Sequence, residues 1–140
     1  MSPALVPELY VSNLRVSVAF YCDTLGFAID YARPEDRFAF LKRGTAALML
    51  EEPIGRTWLA APLEAPYGRG INLQIVVEDV RALYAACERT PVRIIQPLET
   101  KAYRRRDDTV SQTQFVVQDP DGYLIRLAEI RASEPKETEE

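Results

Sequence analysis

The chemically capable side chains of this 140-residue chain are carboxylates, amides and guanidinium groups, and histidine is absent. Glu8, Glu51, Asn72, Gln74 and Arg126 stand out. Each falls in an alternating strand, and the alternation puts them on faces away from the helices. Without imidazole there is no proton shuttle poised near neutral pH and no Ser-His or Cys-His pair. A two-His-one-carboxylate iron site is excluded, and a typical catalytic zinc site lacks its usual ligands. Three chemistries remain. A carboxylate in an apolar pocket can act as a general base, with Arg126 stabilising an anion. Glu8, Glu51 and Gln74 offer oxygens for magnesium or manganese, although no carboxylate cluster supports that site. The leading alternative is a binding site in which these groups orient a ligand and aromatic rings stack on it.

The elements that position these residues come in two copies. Val6 to Phe27 (VPELYVSNLRVSVAFYCDTLGF) and Asn72 to Thr90 (NLQIVVEDVRALYAACERT) are each a strand, a polar cap and an amphipathic helix. The first strand is expected over Leu5 to Val11, with Pro3 and Pro7 confining it to an edge or a strand start. Ser12 or Asn13 caps the helix, Leu14, Val18, Tyr21 and Leu25 form its apolar stripe, and Gly26 ends it. Strands follow at about Ala28 to Ala32, Arg37 to Lys42 and Ala46 to Glu51, with Pro34 and Gly44 at the turns. Glu52 to Gly70 is a connector rich in proline and glycine that carries Trp58 and Tyr67.

The second copy has a strand over Ile71 to Val77, a cap at Asp79 and a stripe of Val80, Leu83, Tyr84 and Cys87 before Pro91. Strands are expected at Val92 to Gln96, Thr113 to Gln118 and Tyr123 to Glu129. The second copy is lengthened by a hairpin at Lys101 to Asp108. The expected fold is α+β: two βαβββ modules forming a curved mixed sheet with helices on the convex face. Residues 1–130 make one domain, with module 1 at about 5–51, a connector at 52–69 and module 2 at about 70–130. Residues 131–140 are expected to be a disordered acidic tail.

Strand parity assigns Leu9, Val11, Leu48, Leu50, Leu73, Ile75, Ile125 and Leu127 to the helix side. It assigns Glu8, Tyr10, Met49, Glu51, Asn72, Gln74 and Arg126 to the other. That second face is either simply wet, as in many antiparallel sheets, or the wall of a pocket.

Totals narrow the function further. The net charge of -4 argues against a nucleic-acid binder. Arg104 to Arg106 run straight into Asp107 and Asp108, as in a solvated hairpin tip. No apolar run reaches membrane-spanning length, and Met1 to Pro7 has neither the basic start nor the apolar core of a signal peptide. Cys22 and Cys87 make no disulfide framework and read as reduced core residues of a cytoplasmic protein.

Three segments carry a resemblance: Asn13 to Phe27, Gly70 to Tyr84 (GINLQIVVEDVRALY) and Asp119 to Glu129 (DPDGYLIRLAE). In that order they resemble the vicinal oxygen chelate superfamily, which includes glyoxalase I, extradiol dioxygenases, fosfomycin resistance enzymes and bleomycin resistance proteins. The resemblance runs from about Leu5 to Glu129. It implies the fold more strongly than the function, because this fold carries several chemistries. It implies metal ligands at Val6, Met49, Asn72 and Arg126. None is a good ligand: an aliphatic, a soft thioether, a weak amide donor and a fixed cation. Metal and cofactor are therefore not expected.

The connector and the DPDGYLIRLAE ending look most like the bleomycin-resistance branch. That likeness implies sequestration of an antibiotic or similar small molecule in clefts at a homodimer interface. The acidic net charge suits a cationic glycopeptide but decides little. The expected ligand-binding residues are Glu8, Phe38, Phe40, Met49, Trp58, Tyr67, Asn72, Gln74, Phe115 and Arg126. For Phe38, Phe40, Phe115 and Trp58 the competing role is core packing. For Arg126 it is an ion pair with Glu8 or Glu51.

Overall fold

The computed structural model describes residues 3–132. In module 1, β1 (Glu8–Tyr10) leads into α1 (Leu14–Ala19), then β2 (Ala28–Arg33), β3 (Phe38–Arg43) and β4 (Ala46–Glu51). In module 2, β5 (Asn72–Val76) leads into α2 (Val80–Glu88), then β6 (Arg93–Arg105), β7 (Asp108–Gln118) and β8 (Leu124–Ala132). Each module forms its own four-stranded mixed sheet, ordered β1-β4-β3-β2 and β5-β8-β7-β6. The α+β class and the two-module order are those of the sequence pattern. β1 and β5 pair in parallel with the last strand of their module, and every other pairing is antiparallel.

The helix caps follow from local chemistry. Asn13 Oδ1 accepts from the Val16 amide at 3.2 Å, and Asp79 Oδ1 from the Ala82 amide at 3.1 Å. Each satisfies a donor that the first helical turn cannot. The first helix is not α throughout. Phe20–Thr24 is a π turn, closed by a bond from the Leu25 amide to the Phe20 carbonyl at 3.3 Å. The wider turn brings Phe20 and Tyr21 both into the core. Gly26 follows at φ +81°, a left-handed position open to glycine without a Cβ clash.

Strand parity holds on the helix side. Leu9, Val11, Leu48, Leu50, Ile75, Ile125 and Leu127 join one core that spans both modules. Burying each such aliphatic contributes about 1.5–3 kcal/mol.

Four strands differ from expectation by more than one residue. β1 is only three residues long, although the Pro7 carbonyl still accepts from the Met49 amide at 2.9 Å. β6 does not stop before Pro97 but continues to Arg105, and β7 begins at Asp108. Pro97 is tolerated because β6 pairs only with β7, and its register shifts between Gln96 and Glu99. The hairpin tip is therefore Arg106-Asp107, with Arg105 and Asp108 in an exposed ion pair at 2.8 Å. β8 runs on to Ala132, so Arg131 and Ala132 belong to a strand rather than to a tail. The rest of the expected tail, 133–140, lies outside the described residues.

The turn Asp119 to Tyr123 ties the modules together. Asp119 Oδ1 accepts from the amides of Asp121, Gly122 and Tyr123, each at 2.9 Å. Its Oδ2 accepts from the Tyr21 hydroxyl at 2.7 Å. Asp121 accepts from the Ser12 amide and hydroxyl, and the Tyr123 hydroxyl donates to the Tyr10 carbonyl at 2.9 Å. A Cβ on Gly122 would lie 2.5 Å from Pro66, so only glycine lets the connector pass there.

Candidate functional site

The face of module 1 away from its helix carries a second apolar cluster, separate from the main core. Phe38, Phe40 and Ala47 are its buried members, with Val6 and Met49 packed against them. β2 adds to it. Tyr31 pairs with Phe40 in register, and the rings stack with centroids 5.0 Å apart and planes 12° apart. The Arg33 guanidinium sits 4.0 Å from the centre of the Phe38 ring. Phe38 and Phe40 are thus largely covered, while Tyr31 remains 46% exposed. Tyr31 is the stacking surface that sequence reading missed. Its signal was present: it lies across the Pro34 turn from Phe40, at matching parity.

Carboxylates border this aromatic patch. Glu8 pairs with Met49, and Glu51 pairs with Phe38 on β3. Burial raises the Glu8 carboxyl above its usual value, and the neighbouring Glu51 raises it further. Tyr10 is buried, and its hydroxyl accepts from the Trp58 amide at 2.8 Å. That bond pins the connector beside the patch. The Trp58 ring is 71% exposed and carries the Arg56 guanidinium at 4.2 Å.

The corresponding face of module 2 is a line of amides. Gln112 Nε2 donates to Gln74 Oε1 at 3.0 Å and to Gln114 Oε1 at 2.6 Å. Gln114 Nε2 donates to Glu99 Oε1 at 3.0 Å and to the Tyr103 hydroxyl at 3.3 Å. Gln112 and Gln114 are buried, so these bonds offset a desolvation cost. Sequence reading missed both: a β7 start at Thr113 leaves out Gln112, and setting Phe115 on the ligand face turns Gln114 away from it. Arg126 stands next to Gln74 in register, between Ile125 and Leu127 on the opposite face. It joins none of the ion pairs formed among the described residues, so the expected pairing with Glu8 or Glu51 is not made within the chain. Gln74 also borders a cavity of about 650 Å³ between β5 and the β3–β4 turn.

Three expected site residues lie elsewhere or apart. Phe115 is fully buried on the helix side, its ring 5.0 Å from Tyr84. It pairs with Leu127, which faces the helix, so parity forces Phe115 inward; aligning it with Phe38 was one residue out. Tyr67 packs edge-on against Tyr123 at 6.1 Å, and its amide donates to the Asp121 carbonyl at 2.8 Å. It braces the inter-module turn. Asn72 is exposed at the start of β5, beside a cavity of about 320 Å³ that Tyr67 also lines.

Residues 5–127 match the model of the glyoxalase/bleomycin resistance protein/dioxygenase superfamily. The chain belongs to this superfamily. It is 29% identical over 128 residues to the bleomycin resistance protein of Geobacillus stearothermophilus, covering 86% of this chain and 91% of that protein. The bleomycin resistance protein of Staphylococcus aureus matches to the same extent. Among solved structures, TioX from Micromonospora sp. ML1 superposes with a TM-score of 0.68 over 89% of this chain and 96% of that one, at 21% identity. An integron cassette protein from the mobile metagenome of V. cholerae gives 0.69 over 92% and 95%, at 18% identity. These two show the shared fold.

The superfamily's metal corner does not fit a cation in this chain. Val6 and Met49 are turned into the apolar cluster under Phe38 and Phe40. Arg126 places a fixed positive charge where a divalent ion would sit, and Asn72 alone is a weak donor. Among the described residues no group of three or more His, Cys, Asp or Glu side chains is disposed to hold a metal. No helix among them is long and apolar enough to cross a membrane.

Proposed function

We propose that this chain is a metal-independent binding protein of the bleomycin-resistance type, which sequesters an antibiotic or similar small molecule. The observation that carries the reading is the aromatic cluster of Tyr31, Phe38 and Phe40. It lies apart from the main core, on the face away from the helix, with the exposed Trp58 ring pinned nearby. Phe38 and Phe40 back this face, and the exposed rings of Tyr31 and Trp58 offer stacking area to a ligand. The curated bleomycin resistance proteins, similar along most of their length, support the same reading.

In this proposal the protein is a cytoplasmic homodimer. Each cleft joins the aromatic, acidic face of module 1 in one copy to the amide face of module 2 in the other. Glu8, Met49, Trp58, Asn72, Gln74 and Arg126 orient the ligand. The exposed apolar side chains of β2 and β5, Ile29, Tyr31 and Val76, support pairing with a second copy.

A thermal-shift screen across bleomycin-like glycopeptides, other antibiotics and aromatic metabolites tests it, since a specific binder raises the midpoint. Light scattering on the same sample reads the mass. A monomer refutes the shared cleft, and a screen without any shift refutes sequestration.

One observation favours a second reading. The raised carboxyl of Glu8 has the character of a general base, and an enzyme built on it would lose turnover in Glu8→Gln while still binding its ligand.

A further inference from the structure

The amide line on module 2 has a direction, and one carboxylate sets it. Ionised Glu99 only accepts, so Gln114 must turn its nitrogen toward Glu99 Oε1. The oxygen of Gln114 then points back and takes a hydrogen from Gln112 Nε2. The other hydrogen of Gln112 Nε2 goes to Gln74 Oε1. Gln74 ends the line with its oxygen occupied and its two N–H donors without a partner among the described residues. One strand away, Arg126 adds a guanidinium with five donors. Its Nε is sealed from solvent and makes no hydrogen bond. A half-buried guanidinium without a carboxylate is costly, and the cost is recovered only when an acceptor arrives.

We infer that this corner binds an oxyanion of the ligand, a carboxylate or a group of the same shape. Arg126 makes a bidentate contact, and Gln74 Nε2 adds a third bond. Glu99 is a positioning residue: through Gln114 and Gln112 it holds the Gln74 nitrogen toward the ligand. The inference rests on the proposed ligand cleft and names one chemical group of what enters it. It also gives the superfamily's metal corner a new use, with a fixed guanidinium in place of an ion.

The test compares 2-naphthoate with 2-naphthamide on the full-length protein by titration calorimetry. The two share their aromatic area and differ in charge. Naphthoate is expected to bind at least about tenfold more tightly, because only the carboxylate can take the bidentate, charge-assisted contact from Arg126. Arg126→Met should abolish that preference, and Arg126→Lys should restore part of it. Glu99→Gln lets the amide line reverse, so the preference should fall with no change in melting temperature. Equal affinity for the two compounds overturns the inference. That is the result expected if Glu8 of a second copy already neutralises Arg126. A preference that survives Arg126→Met overturns it as well. If neither compound binds while another ligand of the screen does, the oxyanion corner falls and the cleft stands. If naphthoate binding needs Arg126 but ignores Trp58→Ala and Tyr31→Ala, the corner stands and the shared cleft falls.

Discussion

The Tyr21 hydroxyl donates to Asp119 Oδ2 at 2.7 Å, joining side chains 98 positions apart in different modules. Both are buried, and the same carboxylate organises its own turn through three backbone amides. Burial raises the Asp119 carboxyl, while the Tyr21 hydroxyl and the amides of Tyr123 and Asp121 pull it back. Tyr21→Phe keeps the ring and removes one charge-assisted bond, so it should cost about 1.5–3 kcal/mol. Asp119→Ala also frees three turn amides and should cost more. Urea unfolding of both variants checks the order, and a Tyr21→Phe variant as stable as wild type would refute the clasp.

Phe115 and Trp58 should separate core from site. Phe115→Ala empties a fully buried position and should destabilise the protein by about 3–5 kcal/mol. Trp58→Ala removes an exposed ring and should shift stability by no more than about 0.5 kcal/mol. Its effect belongs to binding, with an expected loss of about tenfold in affinity. Because Trp58 is the only tryptophan, its fluorescence should change as ligand is titrated in.

The raised carboxyl of Glu8 predicts a pH signature. Its folded pKa lies above the unfolded one, so the folded state holds the proton more tightly. Its favourable contribution is complete below the unfolded pKa and is lost as pH rises through the folded one. Glu8→Gln removes that titration. Relative to the variant, wild type should be more stable at pH 4 than at pH 7. Chemical unfolding at a series of pH values gives the comparison, and parallel curves would contradict the assignment.

A chelator should leave the melting temperature unchanged, and elemental analysis of purified protein should find no stoichiometric divalent metal. The donor set predicts this, since a guanidinium, an amide and a thioether do not replace imidazole and carboxylate. A large loss of stability on chelation would overturn the metal-independent reading.

Much of the fold was legible from period and punctuation. Asn13, Asp79 and Gly26 announced their helix ends because capping is local chemistry. Parity placed Leu9, Leu50, Ile75 and Leu127 inward and Glu8, Gln74 and Arg126 outward. The errors arose where a long-range partner overrode a local signal. The expected strand ended at Gln96, yet on an edge strand the donor that Pro97 lacks costs no ladder bond. The candidate site was legible only in outline. Tyr31 acquires meaning from Phe40 across a hairpin, and Gln112 from Gln74 two strands away.

The sequence alone determined the duplicated sheet-and-helix unit, the lack of imidazole chemistry and the faces on which most polar side chains emerge. These depend on residue type and on spacings of two or four, which act over short stretches of chain. Tertiary structure alone decided that Tyr67 braces a turn, that Phe115 is core and that Arg126 finds no carboxylate among the described residues. Those outcomes depend on which strands become neighbours, and packing of the whole chain selects that arrangement.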